Sequence, residues 1–351
     1  MKIDANSSTV SSLPNKDLNT YLSIQDERIH RLFLYKILPV VGFGASAICT
    51  VLSAAVSIQF MYGSIAFLAL GVLGVQLASR QNQRPFIDHQ PVGLPNRGNN
   101  CWSNSFFQIV LNNPHLSASL AHYSFLQRDF QNYEEKRASR NILFSDYNDR
   151  ALRAHLNALE PQYISLDNTQ QDVSEAFEKY FGQFGSCYHQ FEQNFNGSST
   201  HQGQPFILLS CRRSLPFHSN FSRFFSEMTD SGLLEKKFIH PPASLIIKIK
   251  RFSPAISPEG EYYAEKSNKR CQIPLAFDTD PSQIRGGVVA RYECDGFILH
   301  VGNTGLSGHF IACVRRPGGW WICDDDFTRP LSIAEVEDLV QYSYFLSFTK
   351  I

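Results

Sequence analysis

The sequence has no excess of charge of either sign and no closely spaced pair of cysteines. Lys and Arg together number 32, as do Asp and Glu, so the formal net charge is +0 and the composition does not resemble that of a basic nucleic-acid-binding protein. The 8 cysteines are scattered and form no C-x-x-C pair, which argues against a zinc ribbon or a compact disulfide framework. We therefore expect no nucleic-acid partner, and reduced thiols in a cytosolic environment.

Charge is also missing from a long segment near the N-terminus. Residues 1–30 are polar, lack the pattern of a cleavable secretory signal and are predicted to be disordered. The following stretch Ile37–Ser79 contains no Asp, Glu, Lys, Arg or His. As a helix it would extend roughly 65 Å, about twice the hydrocarbon core of a bilayer. It therefore predicts a membrane segment at 31–79 with two spans, 37–56 and 61–77; a buried helical hairpin in a soluble core is the alternative.

Basic residues flank the uncharged stretch on both sides, namely Arg28, Arg31 and Lys36 before it and Arg80 and Arg84 after it. The positive-inside tendency then places both ends on the cytosolic side, as an even number of spans requires. Residues 80–92 indicate a short linker, and 93–351 form one soluble domain that we expect to face the cytosol.

A single cysteine lies where a turn rich in Gly and Asn leads into a predicted helix. In the segment 93–108, apolar residues at helical spacing follow Cys101, and Pro114 marks the end of the helix. Unpaired N–H groups and the helix dipole favour a thiolate in this first turn, and the Asn96 amide could donate to an oxyanion beside the sulfur. An isolated cysteine is more often a small buried hydrophobic residue, so a catalytic role for Cys101 requires a partner.

The pattern around His309 indicates such a partner. His309 begins a predicted strand that reverses at Pro317-Gly318-Gly319 and returns to Asp324. A tight turn there pairs residues whose numbers sum to about 635, which brings His309 and Asp324 to the same open end of one hairpin. Asp324 could then accept the imidazole N–H and leave the other ring nitrogen for Cys101. A surface histidine and a solvated acidic loop are the alternatives.

The rest of 93–351 combines helices early with strands late. A helix is expected to follow a cap at Asn168 or Thr169, strands are expected near 245–252, 297–301, 309–316, 320–324 and 344–349, and Ser332 with Glu335 forms a capping box. This order indicates an α+β domain.

Five blocks of the sequence resemble, in order, the motifs of the ubiquitin-specific proteases, a family of papain-like cysteine peptidases. The blocks are 93–108, 170–177, 245–252, 300–325 and 344–348. The resemblance covers the whole of 93–351, with Asn100 and Trp102 in place of the family's Thr and Tyr before and after the cysteine. It implies a papain-like fold with a helical thumb, short fingers and an antiparallel-sheet palm, here preceded by a transmembrane hairpin of two helices.

The resemblance also implies roles for individual residues. Cys101 would be the nucleophile, His309 the general base and acid, Asp324 the residue that orients His309, and Asn96 the oxyanion donor. The implied partner is ubiquitin, together with ubiquitinated proteins. In relatives the helix that corresponds to the one bearing Asp172 and Glu175 contacts the arginine-containing tail of ubiquitin. The substrate-binding residues that the resemblance implies are Gln171, Asp172, Glu175, Phe310 and Asp325. Asp172 and Glu175 share one helix face by their spacing, and a solvated acidic face is the alternative.

The fingers region departs from the family pattern. Only Cys187 and Cys211 occur between about 186 and 243, so we expect no structural zinc, and the chemistry needs no cofactor. The hypothesis is a membrane-anchored deubiquitinase that hydrolyses the bond after the terminal Gly-Gly of ubiquitin. A catalytically silent ubiquitin-binding scaffold and a papain-like acyltransferase are the alternatives. The compact layout would suit a bacterial effector acting in a host cytosol, and an organelle-anchored eukaryotic enzyme stays open.

Overall fold

The protein is described by a computed structural model. It describes residues 89–159, 171–181, 189–195, 197–210, 215–229, 232–256, 260, 262–302 and 308–351. They belong to one compact unit, Phe86–Ile351. The predicted membrane spans 37–56 and 61–77 and the polar segment 1–30 lie outside the described residues. Within the described ranges, no helix is long and apolar enough to cross a membrane.

Most of the helices described come before the strands. They are α1 Cys101–Asn112, α2 Pro114–Leu120, α3 Ser124–Ala138, α4 Arg150–Leu159, α5 Val173–Phe181, α6 Phe217–Phe225 and α7 Ile333–Leu339, with short 3₁₀ helices at Pro281–Gln283 and Val340–Tyr342. Helix α1 ends where expected, and Asn113 then caps α2 by accepting the N–H groups of His115 and Leu116. Pro114 suits the first position of α2 because that N–H would have no partner within the helix.

The strands form three sheets among the described residues. They are β1 His189–Phe195, β2 Ser198–Gln204, β3 Ile207–Leu209, β4 Ser226–Thr229, β5 Gly232–Phe238, β6 Ser244–Ile249, β7 Phe252–Ile256, β8 Tyr262–Lys266, β9 Ala276–Asp278, β10 Arg291–Val301, β11 His309–Arg316, β12 Gly319–Asp324, β13 Phe327–Leu331 and β14 Ser343–Lys350. The large sheet has the order β13-β12-β11-β10-β14-β6-β3, and β9 also pairs with β10. A smaller sheet has the order β2-β1-β5-β4, and β7 pairs with β8.

The architecture is the predicted α+β arrangement, with two differences in detail. Strand β3 pairs in parallel with β6, so the large sheet is mixed rather than fully antiparallel. Helix α5 begins at Val173, later than a cap at Asn168 or Thr169 would place it, because Asp172 accepts the N–H of Ser174 and acts as the cap. The predicted capping box at Ser332 and Glu335 is confirmed.

Helix α1 is held between α5 and the large sheet by aromatic side chains. The ring of Phe106 lies 4.9 Å from Phe177 and 5.6 Å from Tyr180, measured between centroids. Phe177 in turn stacks on Phe345 of β14 at 4.2 Å. Each such aromatic contact adds about 0.5–1.5 kcal/mol beyond area burial. The middle of α1 is therefore fixed against α5, which in turn packs on β14 of the large sheet.

Candidate active site

Cys101 is the first residue of α1 and follows a turn with an unusual backbone. Its side chain is almost completely buried, at 2% exposure. Gly98 has φ 127° and Asn99 has φ 49°, both in the left-handed region. The Asn100 side chain steadies the turn by accepting the N–H of Arg97 at 3.0 Å. The thiol thus lies at the positive end of the helix, where a thiolate is stabilised.

His309 lies at the start of β11 and is bonded to Asp324 at the end of β12. The distance from His309 Nε2 to Asp324 Oδ1 is 2.5 Å, and the Asp324 side chain is 1% exposed. The predicted hairpin is confirmed, with Ala312 opposite Cys323 and Arg316 opposite Gly319. Since Nε2 bonds to the carboxylate, the other ring nitrogen is the one left for Cys101, with which the imidazole is hydrogen-bonded.

Opposing effects set the charge of His309. Burial lowers its pKa, but hydrogen bonds to Asp324 and Cys101 and the charges of Asp324 and Asp325 outweigh burial and raise the pKa to about 10. The imidazole is therefore cationic at neutral pH. A cation in this position can stabilise a thiolate on Cys101 and supply a proton to a leaving group.

Asp325 connects the hairpin to the turn before Cys101. Its side chain accepts the amide N–H of Asn96 at 2.8 Å and that of Asn104 at 2.9 Å, while its backbone carbonyl accepts the N–H of Leu94 at 2.8 Å. Asp325 itself is 4% exposed and has φ 54°. The residue predicted to bind substrate thus lies inside the protein, where it orients the predicted oxyanion donor Asn96.

Gly93 allows this close approach of the turn and the hairpin. A Cβ atom at position 93 would lie 2.4 Å from the backbone oxygen of Asp326. Glycine is therefore required where the segment 93–96 passes the end of β12.

A second histidine, His300, borders the site without carrying charge. Burial, followed by the charge of Lys266, lowers its pKa to about 3, although Asp172 opposes this change. Its ring lies 4.8 Å from that of Phe310 on the adjacent strand. The predicted substrate-binding residue Phe310 is 4% exposed and packs against this neutral imidazole. His309 is thus the charged histidine of the pair.

Asp172 lies at the start of α5 and already has several partners. The hydroxyl of Tyr344 donates to its Oδ2 at 2.5 Å, and the Lys248 ammonium lies 3.9 Å from the same oxygen. Lys248 also donates to Ser174 at 2.6 Å. Asp172 is only partly buried, as are Gln171 and Glu175 beside it. Asp172 at the start of α5 therefore offers a partly exposed carboxylate whose charge Lys248 moderates, whereas one carboxylate oxygen of Glu175 is buried.

A metal ion would have to compete with these contacts. Among the described residues, His309, Asp324 and Asp325 form a group that could hold a metal, with potential ligand atoms within 4.8 Å of one another. These atoms are already engaged, since Nε2 of His309 bonds to Asp324 and both oxygens of Asp325 accept side-chain amides. The donor set fits a catalytic triad better than a metal centre. Cys187 and Cys211 lie outside the described residues.

The structure brings the predicted residues Cys101, His309, Asp324 and Asn96 together. It also reveals site residues that were not predicted: Asn104, which bonds to Asp325, and three residues beneath the turn, namely Ser103, Asp149 and Arg153. Asn104 lies in the segment 93–108 and could have been singled out there. Asp149 and Arg153 pair with each other at i,i+4 spacing, but such a pair is common on helices, and their contacts with Asn99 and Ser103 join segments that are distant in the sequence.

Comparison with known proteins agrees with this geometry. A sequence profile of the ubiquitin carboxyl-terminal hydrolase family matches residues 92–348. A probable ubiquitin carboxyl-terminal hydrolase 16 from Schizosaccharomyces pombe is 29% identical over 110 residues, which cover 31% of this chain. The match spans only 22% of that curated relative.

Solved structures share the fold. The SAGA DUB module of Ubp8, Sgf11, Sus1 and Sgf73 bound to monoubiquitin matches with a TM-score of 0.60 and 16% identity, covering 84% of this chain and 76% of that chain. The same module bound to ubiquitin aldehyde matches with a TM-score of 0.57 and 17% identity, with the same coverage.

Proposed function

We propose that this chain, which belongs to the ubiquitin carboxyl-terminal hydrolase family, is a cysteine-type deubiquitinase. The observation that carries the proposal is the arrangement of Cys101 at a helix N-terminus with His309 bonded to Asp324 at 2.5 Å. It supplies a nucleophile, a proton carrier and an orienting carboxylate. The ubiquitin-bound structures of similar fold support ubiquitin as the substrate.

In the proposed reaction, the Cys101 thiolate attacks the carbonyl carbon of the terminal glycine of ubiquitin. The negative charge moves to the carbonyl oxygen, where the Cys101 N–H and the Asn96 amide donate. The Asn96 nitrogen carries two hydrogens and gives one to Asp325, so the other is available. His309 protonates the departing amine, the C–N bond breaks and a thioester remains. Neutral His309 then takes a proton from a water molecule that attacks the thioester carbonyl. The C–S bond breaks, the ubiquitin carboxylate leaves, and the Cys101 thiolate and cationic His309 are restored. The reaction requires no cofactor.

Hydrolysis of ubiquitin bearing a fluorescent C-terminal amide tests the proposal. The full-length protein should release the fluorophore, and Cys101→Ala should reduce the rate to background. Cys271→Ala is the matched control, because Cys271 is equally buried and lies outside the proposed site. An inactive wild-type protein, or an active Cys101→Ala variant, would refute the proposal.

The partly exposed carboxylates at the start of α5 are proposed to receive the cationic tail of ubiquitin. Asp172→Asn should raise KM several-fold and leave kcat almost unchanged, since it weakens binding remote from the reacting bond. Glu178→Gln is the control, because Glu178 is exposed on the same helix. Equal KM values for wild type and Asp172→Asn would contradict this role.

The uncharged stretch 37–79 is proposed to anchor the protein in a membrane through two helices, 37–56 and 61–77, with the catalytic domain facing the cytosol. The support is the sequence itself, which carries no Asp, Glu, Lys, Arg or His over a length that could span a bilayer twice. Alkaline carbonate extraction tests it: the full-length protein should stay in the membrane pellet, and a variant lacking 37–79 should appear in the supernatant. Release of the full-length protein would refute the anchor.

A further inference from the structure

A buried ion pair lies beneath the turn that precedes Cys101. Arg153 of α4 is 3% exposed, and its Nε donates to Asp149 Oδ2 at 2.7 Å. Its guanidinium also lies 5.0 Å from the ring centroid of Trp102, directly after the nucleophile. A buried ion pair seldom adds net stability, because desolvation offsets the attraction. The contacts of the Arg153–Asp149 pair with the turn therefore indicate a role other than stabilising the fold.

Arg153 holds one carbonyl group of the turn directly, and the Ser103 hydroxyl, which has a single hydrogen to donate, lies between Asp149 and the next carbonyl. Arg153 Nη2 donates to the Asn99 carbonyl at 3.0 Å. Ser103 Oγ lies 2.8 Å from the Asn100 carbonyl and 2.8 Å from Asp149 Oδ2. Asn99 adopts a left-handed backbone with φ 49°, which is uncommon for a residue with a side chain and persists where neighbouring groups enforce it.

Fixing these carbonyls also fixes the N–H groups on the other side of each peptide. In a trans peptide the N–H points opposite to the C=O. The Asn100 N–H therefore points away from Arg153. The Asn100 carbonyl accepts the Asn104 N–H at 2.9 Å within the helix, so the Cys101 N–H projects from the helix N-terminus beside the sulfur.

We propose that Arg153, paired with Asp149, is a positioning residue that aims the Asn100 and Cys101 amide N–H groups at the oxyanion. It touches neither substrate nor sulfur and acts through the Asn99 carbonyl. The inference rests on the proposed function, because an oxyanion forms only if Cys101 attacks a carbonyl. Misplacing donors of this kind raises the transition-state barrier without changing the charge of the thiol.

Arg153→Lys tests the inference. Lysine keeps the charge opposite Asp149 but lacks the planar fork that reaches both Asp149 and Asn99. We expect kcat for a ubiquitin C-terminal amide to fall by about 10–100-fold, less than the full loss of a donor. KM and the rate at which iodoacetamide alkylates Cys101 should stay within twofold of wild type. Arg150→Lys, an exposed residue of the same helix, is the control and should leave all three unchanged.

A double variant distinguishes loss of positioning from misfolding caused by an unpaired buried charge. Arg153→Met combined with Asp149→Asn removes both charges together, so neither is left alone in the interior. It should show the same loss of kcat with alkylation retained. A kcat within twofold of wild type in either variant, or equal losses of kcat and alkylation rate, would overturn the inference. A wild-type protein that is itself inactive would refute the proposed function instead.

Discussion

Replacing Asp324 by asparagine should move the alkaline limit of the proposed activity to lower pH. In the wild-type protein, His309 Nε2 lies 2.5 Å from the Asp324 carboxylate. Asparagine in its place can still accept this hydrogen bond, but it carries no charge. An opposite charge at this range shifts a pKa by about 1–3. We therefore expect the pKa of His309 to fall from about 10 by that amount. The hydrogen bond to Cys101 and the charge of Asp325 should still raise this pKa in the variant.

This change corresponds to a loss of about 1–4 kcal/mol of imidazolium stabilisation. The assay is the pH dependence of kcat/KM for a ubiquitin amide, because protonation of the amine leaving group requires the imidazolium. The control is Asp326→Asn, which removes an equal charge two residues away. An alkaline limit that stays at the wild-type pH in Asp324→Asn would refute the assignment of Asp324 as the partner that keeps His309 charged.

Three further predictions concern stability. The pKa of His309 is about 10 in the folded protein and about 6.5 in an unperturbed histidine, so the imidazolium should stabilise the fold fully below about pH 6.5, and this stabilisation should be lost as the pH rises through 10. The melting temperature measured against pH tests this. The same pH dependence in wild type and Asp324→Asn would contradict it. Gly93→Ala places a Cβ 2.4 Å from the Asp326 carbonyl and should destabilise the protein by about 1–3 kcal/mol in urea unfolding; no change would show that the segment can move aside. Asn113→Ala removes the α2 cap and the bonds from its amide to Ser244 and Asp295, and should lower the unfolding free energy by about 2–3 kcal/mol, whereas a loss confined to a few tenths would mean that water replaces the amide.

The parts of the site that follow from local rules could be predicted from the sequence. The start of α1 at Cys101 follows from a Gly- and Asn-rich turn before apolar residues at helical spacing. The meeting of His309 and Asp324 follows from the turn at 317–319, since a hairpin with a known turn determines which residues lie opposite each other.

Other parts depend on contacts between distant segments. Asp325 turns inward because its backbone has φ 54°, and its partners Asn96 and Asn104 are more than two hundred residues away in the sequence. The support of the turn by Arg153 depends on the packing of α4 beneath α1, which no periodicity specifies. The small sheet of β2, β1, β5 and β4 also escaped prediction, since its edge strand β2 is polar and exposed and lacks the alternation that marks a half-buried strand.

The central claim is that Cys101 forms a covalent bond with the C-terminus of ubiquitin. The most direct measurement is intact-mass spectrometry of the full-length protein after incubation with ubiquitin that carries a C-terminal electrophile, followed by peptide mapping. The wild-type protein should gain the mass of one ubiquitin, attached at Cys101, and Cys101→Ala should gain none. A wild-type protein without the adduct, or an adduct on another residue, would contradict the account.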